Sequence, residues 1–155
     1  MLVFRAVSAD ELRALASGAV LAGAAWAVTP AFRDAFGLGP ADDEDAERTV
    51  CCIAGLDALL RHGRRLVAVA DAEARDAGGE FGAVTVDRLA FGQVTALFAD
   101  DPAAGPRVDA VRAAVAGAGV EDAWEHPAHR ALLEDADLLW YGPEEWGLLA
   151  AEPGA

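Results

Sequence analysis

Two histidines and a carboxylate form the set in this chain whose types and spacing most suggest chemistry. In the stretch WEHPAH, His126 and His129 stand three residues apart, and Glu134 follows five later. Imidazole nitrogens beside a carboxylate bind zinc or iron, and the same groups serve as general acid and base. Glu125 or Asp137 could complete the set in place of Glu134. Two features argue for a blander role. Pro127 suits the first position of a helix and leaves His126 outside it, and the HExxH spacing of zinc enzymes is absent. The expectation is solvated histidines at a helix start, with an enzyme or ligand pocket built on His126, His129 and Glu134 as the alternative.

Other reactive side chains read as structural. Cys51 and Cys52 are adjacent, and on a helix their side chains diverge by about 100°, so they cannot bridge each other without breaking it. There is no CxxC and no second pair, hence no zinc framework. Cys52 is expected in the core and Cys51 near the surface, both inert. The acidic run at residues 42–45 lacks the alternation and central glycine of a calcium loop. It reads as a charged helix start facing water. Asp100 and Asp101 follow a strand and could hold magnesium, but ending the strand and capping the next turn is the simpler use. Arg5 and Arg33 are the candidate anion anchors, Arg33 because Thr29 and Pro30 open a helix beside it. No metal site and no cofactor are expected.

Aromatic mass gathers at the end of the chain in Trp140, Tyr141 and Trp146, rimmed by Glu144 and Glu145. These residues are expected to close the core and, in part, to offer an interaction surface, since Trp and Tyr dominate binding hot spots.

The elements that must position these groups follow from hydrophobic period. Residues 42–62 are the longest clean amphipathic helix, with Ala46, Thr49, Cys52, Ile53, Leu56, Leu59 and Leu60 on one face. Acids fill its first turn, Arg61 and His62 its last, and Gly63 follows as a cap. Glu44 with Arg48, and Asp57 with Arg61, are spaced for i,i+4 ion pairs. Before it come a strand at 2–7, a helix opened by the capping box Ser8–Glu11, a strand at 24–29, and a short helix at 31–36 with Thr29 as N-cap. After it come a strand at 65–70, a surface loop at 73–80, and strands at 81–89 and 91–99 forming a hairpin that turns near 88–92. A helix at 106–118, a helix within 121–135, a strand at 138–141 and a final segment at 144–150 complete the order.

That order mixes helical crossovers with a hairpin. It predicts an α+β domain over residues 1–150, with a mixed, mostly antiparallel sheet and helices largely on one face, a ferredoxin-like variant. Residues 151–155 are expected to be a loose C-terminal tail. At 155 residues and 54% apolar content the chain has a sizeable core to bury. No apolar run reaches the ~20 residues that span a bilayer, and the start shows no leader, so a cytoplasmic protein is expected. The formal net charge is −14, and all twelve basic residues are arginine. Such a charge repels phosphate backbones and disfavours nucleic acid, while an acidic surface favours a basic partner.

Two motifs carry a family resemblance. AVTPAFRDAF at residues 27–36 is similar to an A-V-T-P-A-L-R core, and LEDADLLWY at 133–141 to an acidic stretch ending in LLWY. In these the chain resembles a family of small actinobacterial proteins defined as a domain of unknown function. Ala136 stands where the family pattern has a histidine. The resemblance implies fold and compartment but no reaction. The function expected is a non-catalytic protein-interaction module, or a self-associating one, with an inhibitor or immunity-type protein against a basic toxin as a special case.

Overall fold

A computed structural model describes residues 1–151. Its elements run β1 (Leu2–Ala6), α1 (Ala9–Ala16), β2 (Leu21–Trp26), α2 (Pro30–Phe36), α3 (Asp43–His62), β3 (Leu66–Asp71), β4 (Ala74–Asp76) and β5 (Ala83–Leu89). Then follow β6 (Val94–Ala99), α4 (Gly105–Ala114), α5 (Val120–Trp124), α6 (Pro127–Asp135), β7 (Leu139–Tyr141) and α7 (Trp146–Leu149). Local signals set most boundaries. Ser8 and Glu11 make the reciprocal capping box of α1, Thr29 caps α2 with Pro30 at its first position, and Gly63 ends α3 at φ +78°. The expected tail lies, apart from Ala151, outside the described residues.

The fold is α+β around one seven-stranded antiparallel sheet, in the order β4-β5-β2-β1-β3-β6-β7. That order does not bear out a ferredoxin-like arrangement. Its geometry also requires the sheet to curl. Only Ala72 and Glu73 separate β3 from β4, a reach of about 10 Å, yet β5, β2 and β1 lie between them in the sheet. Laid flat at ~4.8 Å per strand, they would be roughly 19 Å apart. The sheet instead bends until β4 continues β3, and β5–β6 runs antiparallel along both, with Ala74 opposite Val86 and Ala70 opposite Val94.

This overturns the expected hairpin at 88–92. β5 and β6 do not pair with each other; they are successive parts of one ladder, offset by the 3-10 turn Phe91–Gln93. The turn that reverses the chain is at residues 77–82, where Ala77 N–H donates to Ala83 O at 2.9 Å and Gly78, Gly79 and Gly82 have positive φ. The expected loop at 73–80 therefore holds a strand. Alternation specifies which face a residue takes, not which strand lies beside it.

The curl divides the core in two. Inside it sit Val3, Ala25, Ala27, Ala68, Ala70 and Leu97, closed by Leu12 and Leu15 of α1 and Leu149 of α7. Alanines recur here because a tightly curved sheet leaves little room within. Outside, Phe4, Val67 and Val69 meet α3, backed by α4, α5 and α6. Most helices thus lie on one face.

Helix α3 is buried on more than one side. Ala54 and Ala58, which the helical period places on the opposite face, are buried along with Gly55, and the cysteines exchange places: Cys51 is buried and Cys52 partly exposed. Small side chains allow this close approach. A Cβ on Gly55 would lie 3.2 Å from the Leu138 side chain. One buried acid completes the helix: Asp57 accepts from the Trp26 indole at 3.0 Å and from Arg61 at 2.7 Å.

Candidate functional site

The three residues of the alternative enzyme reading, His126, His129 and Glu134, lie at or on α6 without sharing a site, and of the two histidines expected to be solvated His129 is buried. His126 caps the helix, its Nδ1 accepting from Ala128 N–H at 3.0 Å. His129 is completely buried, 3.0 Å from Trp124 O through Nδ1, with its ring tilted against the Trp124 ring at 5.1 Å between centroids. A carbonyl only accepts, so Nδ1 carries the hydrogen and Nε2 is a bare acceptor with no partner among the described residues. Burial pushes the His129 pKa down, helped by Arg65 and Arg130, and outweighs the Trp124 carbonyl, which favours the proton. Glu134 is exposed on the same helix. Among the described residues no three His, Cys, Asp or Glu side chains converge as metal ligands would.

The expected arginine anchors are both engaged. Arg5 stands at the seam of β1 and β2, which register only at Phe4 and Trp26. Its guanidinium donates to Ala6 O, Ala22 O and Glu11, filling the gap the diverging strands leave. Burial raises the Glu11 pKa, but the Ser8 amide and Arg5 more than offset it and hold the carboxyl below its usual value. Arg33 donates to Gly39 O at 2.8 Å and pairs with Asp43. The two acids after β6 are also structural. Asp101 caps the next turn through Ala103 N–H at 3.0 Å, and Asp100 holds the buried Arg65.

Strand alternation splits the aromatic ending. Tyr141 and Trp146 are half-buried against the inner core, whereas Trp140, opposite Phe98, is 62% exposed on the outer face. Glu144 is exposed, and Glu145 accepts from Gly142 N–H at 3.1 Å. The three aromatics are therefore not one patch.

The feature the sequence did not disclose is a groove of about 1010 Å³ between the outer sheet face, α3 and the segment leading into β7. Phe4, Val69, Phe98, Leu133 and Leu138 line it, together with Arg48 and Arg130. Arg65 is at its back, 1% exposed, paired with Asp100 at 2.7 Å and donating to Ala136 O at 2.9 Å. Glu44 and Arg48, though spaced for it, form no ion pair among the described residues. Arg130 lies over the Trp124 ring at 5.7 Å. No local signal joins these residues, since they come from β1, α3, β3, β6, α5, α6 and the segment before β7.

Both cysteines line this groove, and neither is poised as a nucleophile. Burial pushes the Cys51 thiol up to about 12, and burial likewise raises Cys52.

A curled antiparallel α+β domain with one open, arginine-lined groove defines the class of protein. Residues 1–150 match the model of a family described as a family of unknown function (DUF6912), and the chain belongs to that family. Neither a curated protein nor a solved structure matches it. Among the described residues no helix is long and apolar enough to cross a membrane.

Proposed function

We propose that this chain is a non-catalytic protein-interaction module that docks a partner, or a second copy of itself, along the free side of β7. Trp140 carries the reading. It is 62% exposed, beside Leu139 at 39%, on a strand that among the described residues pairs only with β6. A strand with one unpaired edge offers backbone donors and acceptors to an incoming strand, and an exposed Trp supplies the side-chain anchor. The net charge of −14, with Glu144 exposed nearby, favours a basic partner in the cytoplasm. An inhibitor of a basic toxin is the special case. Trp146, half-buried in the inner core, contributes to holding the docking edge in place.

A photoreactive amino acid at position 139 should trap one discrete protein, or a second copy, in living cells. Trp140→Ala should reduce that product severalfold while leaving the thermal midpoint unchanged. No discrete product, or an equal yield from a control probe at Arg88, sinks the reading.

A further inference from the structure

Arginines in this protein are nearly all spoken for. Eight of the twelve donate to carboxylates or backbone carbonyls at 2.5–3.3 Å. Among the described residues Arg48, Arg88, Arg112 and Arg130 make no hydrogen bond and no ion pair, and two of these four line the same groove. The groove's charge also departs from that of the chain. Its lining holds three arginines against three acids, Glu44, Glu47 and Asp137, where the chain holds twelve against twenty-six. Even with Arg65 set aside as paired with Asp100, two free arginines against three acids is a higher share of arginine than in the whole chain.

The two free guanidinium groups differ in how they are held. Arg48 projects from the middle of α3, with Glu44 one turn away and unbonded. Arg130 lies over the Trp124 ring in a cation–π contact at 5.7 Å, and among the described residues its N–H groups have no hydrogen-bond acceptor. The planar fork of a guanidinium matches a carboxylate or a similar oxyanion. The same lining includes the apolar side chains of Phe4, Val69, Leu133 and Leu138. Arg65 adds no free charge, because Asp100 neutralises it.

From this we infer that the groove is a binding site for a small amphipathic anion, its oxyanion drawn to the free guanidinium groups of the lining, Arg48 and Arg130, and its apolar body laid against Phe4, Val69, Phe98 and Leu138. A fatty carboxylate is the simplest member of that class. The size agrees: about 1010 Å³ is at the upper end of the roughly 300–1,000 Å³ that small-molecule sites occupy. A nucleotide fits less well, since Glu44, Glu47 and Asp137 on the rim would repel a multiply charged phosphate chain. This site does not depend on the docking edge of β7.

Displacement of anilinonaphthalene sulfonate from the full chain tests it. Decanoate should compete at one site per chain, while decanol, which lacks the charge, should need at least about tenfold more. Arg48→Gln and Arg130→Gln should each weaken decanoate about tenfold, and Arg88→Gln, outside the groove, should leave it unchanged. All three side chains are exposed and unbonded, so the variants should keep the parent's circular dichroism spectrum and melting temperature. Decyl phosphate serves as the second source of the same chemistry, and its rank against decanoate separates carboxylate from phosphate ligands. Equal competition by decanol, equal weakening in Arg88→Gln, or no saturable binding of any of these probes overturns the inference.

Discussion

Arg65 and Asp100 form a buried ion pair that ties the start of β3 to the end of β6. Arg65 Nε donates to one carboxylate oxygen at 2.7 Å, and the Arg65 backbone N–H donates to the other at 3.0 Å. The far end of the guanidinium reaches Ala136 O at 2.9 Å, fixing the segment that leads into β7. One side chain thus holds the back of the groove and the base of the docking edge together.

Removing one partner should therefore be worse than removing both. Asp100→Ala leaves a buried guanidinium uncompensated and is expected to cost about 3–5 kcal/mol. The double substitution Arg65→Met with Asp100→Leu should recover much of that loss, since well-packed apolar groups replace buried pairs at little net cost. Urea unfolding of the two variants beside the parent checks this. A double variant no better than Asp100→Ala would show that the bond to Ala136, rather than the charge pair, is what matters.

His129 makes stability depend on pH. Its pKa in the folded chain lies below the ordinary 6.5, so the unfolded chain takes up the proton first as pH falls. Stability should be at its full value above about pH 6.5 and decline below it, by up to about 1.4 kcal/mol per pH unit, until the folded-state pKa is reached. His129→Gln should flatten that decline between pH 7 and pH 5. Parallel urea midpoints for parent and variant across this range would rule the buried imidazole out as the cause.

Two glycines with the same backbone sign should respond differently to alanine. Gly82 has φ +83°, and a Cβ there would sit within van der Waals overlap of the Ala27 carbonyl, a backbone atom that cannot step aside. Gly78 has φ +88° with nothing within 4 Å. Gly78→Ala should cost about 1–2 kcal/mol for conformation alone, and Gly82→Ala clearly more, because the Ala27–Gly82 backbone bond at 2.8 Å must also give way. Thermal melts of both variants decide it, and equal losses would place the strain in φ only.

By itself the sequence determined what depends on neighbours along the chain. The Ser8–Glu11 box, the Thr29–Pro30 start, the Gly63 stop and the long helix α3 are all short-range physics, so they stand within a residue or two of where periodicity places them. The cap role of His126 was legible for the same reason, from Pro127 alone. Pairing was not. Residues 83–99 alternate as two strands whichever partner they take, and the curl that runs β4 on from β3 is decided by contacts distant in sequence. The two cysteines changed places because α3 is packed on a second side by α4 and α5, which a single helix's moment does not register. The groove belongs wholly to tertiary structure: Arg48, Arg130 and Phe98 are far apart in the chain, and only the stacking of α3 and α6 over the outer sheet brings unpaired charge beside apolar surface.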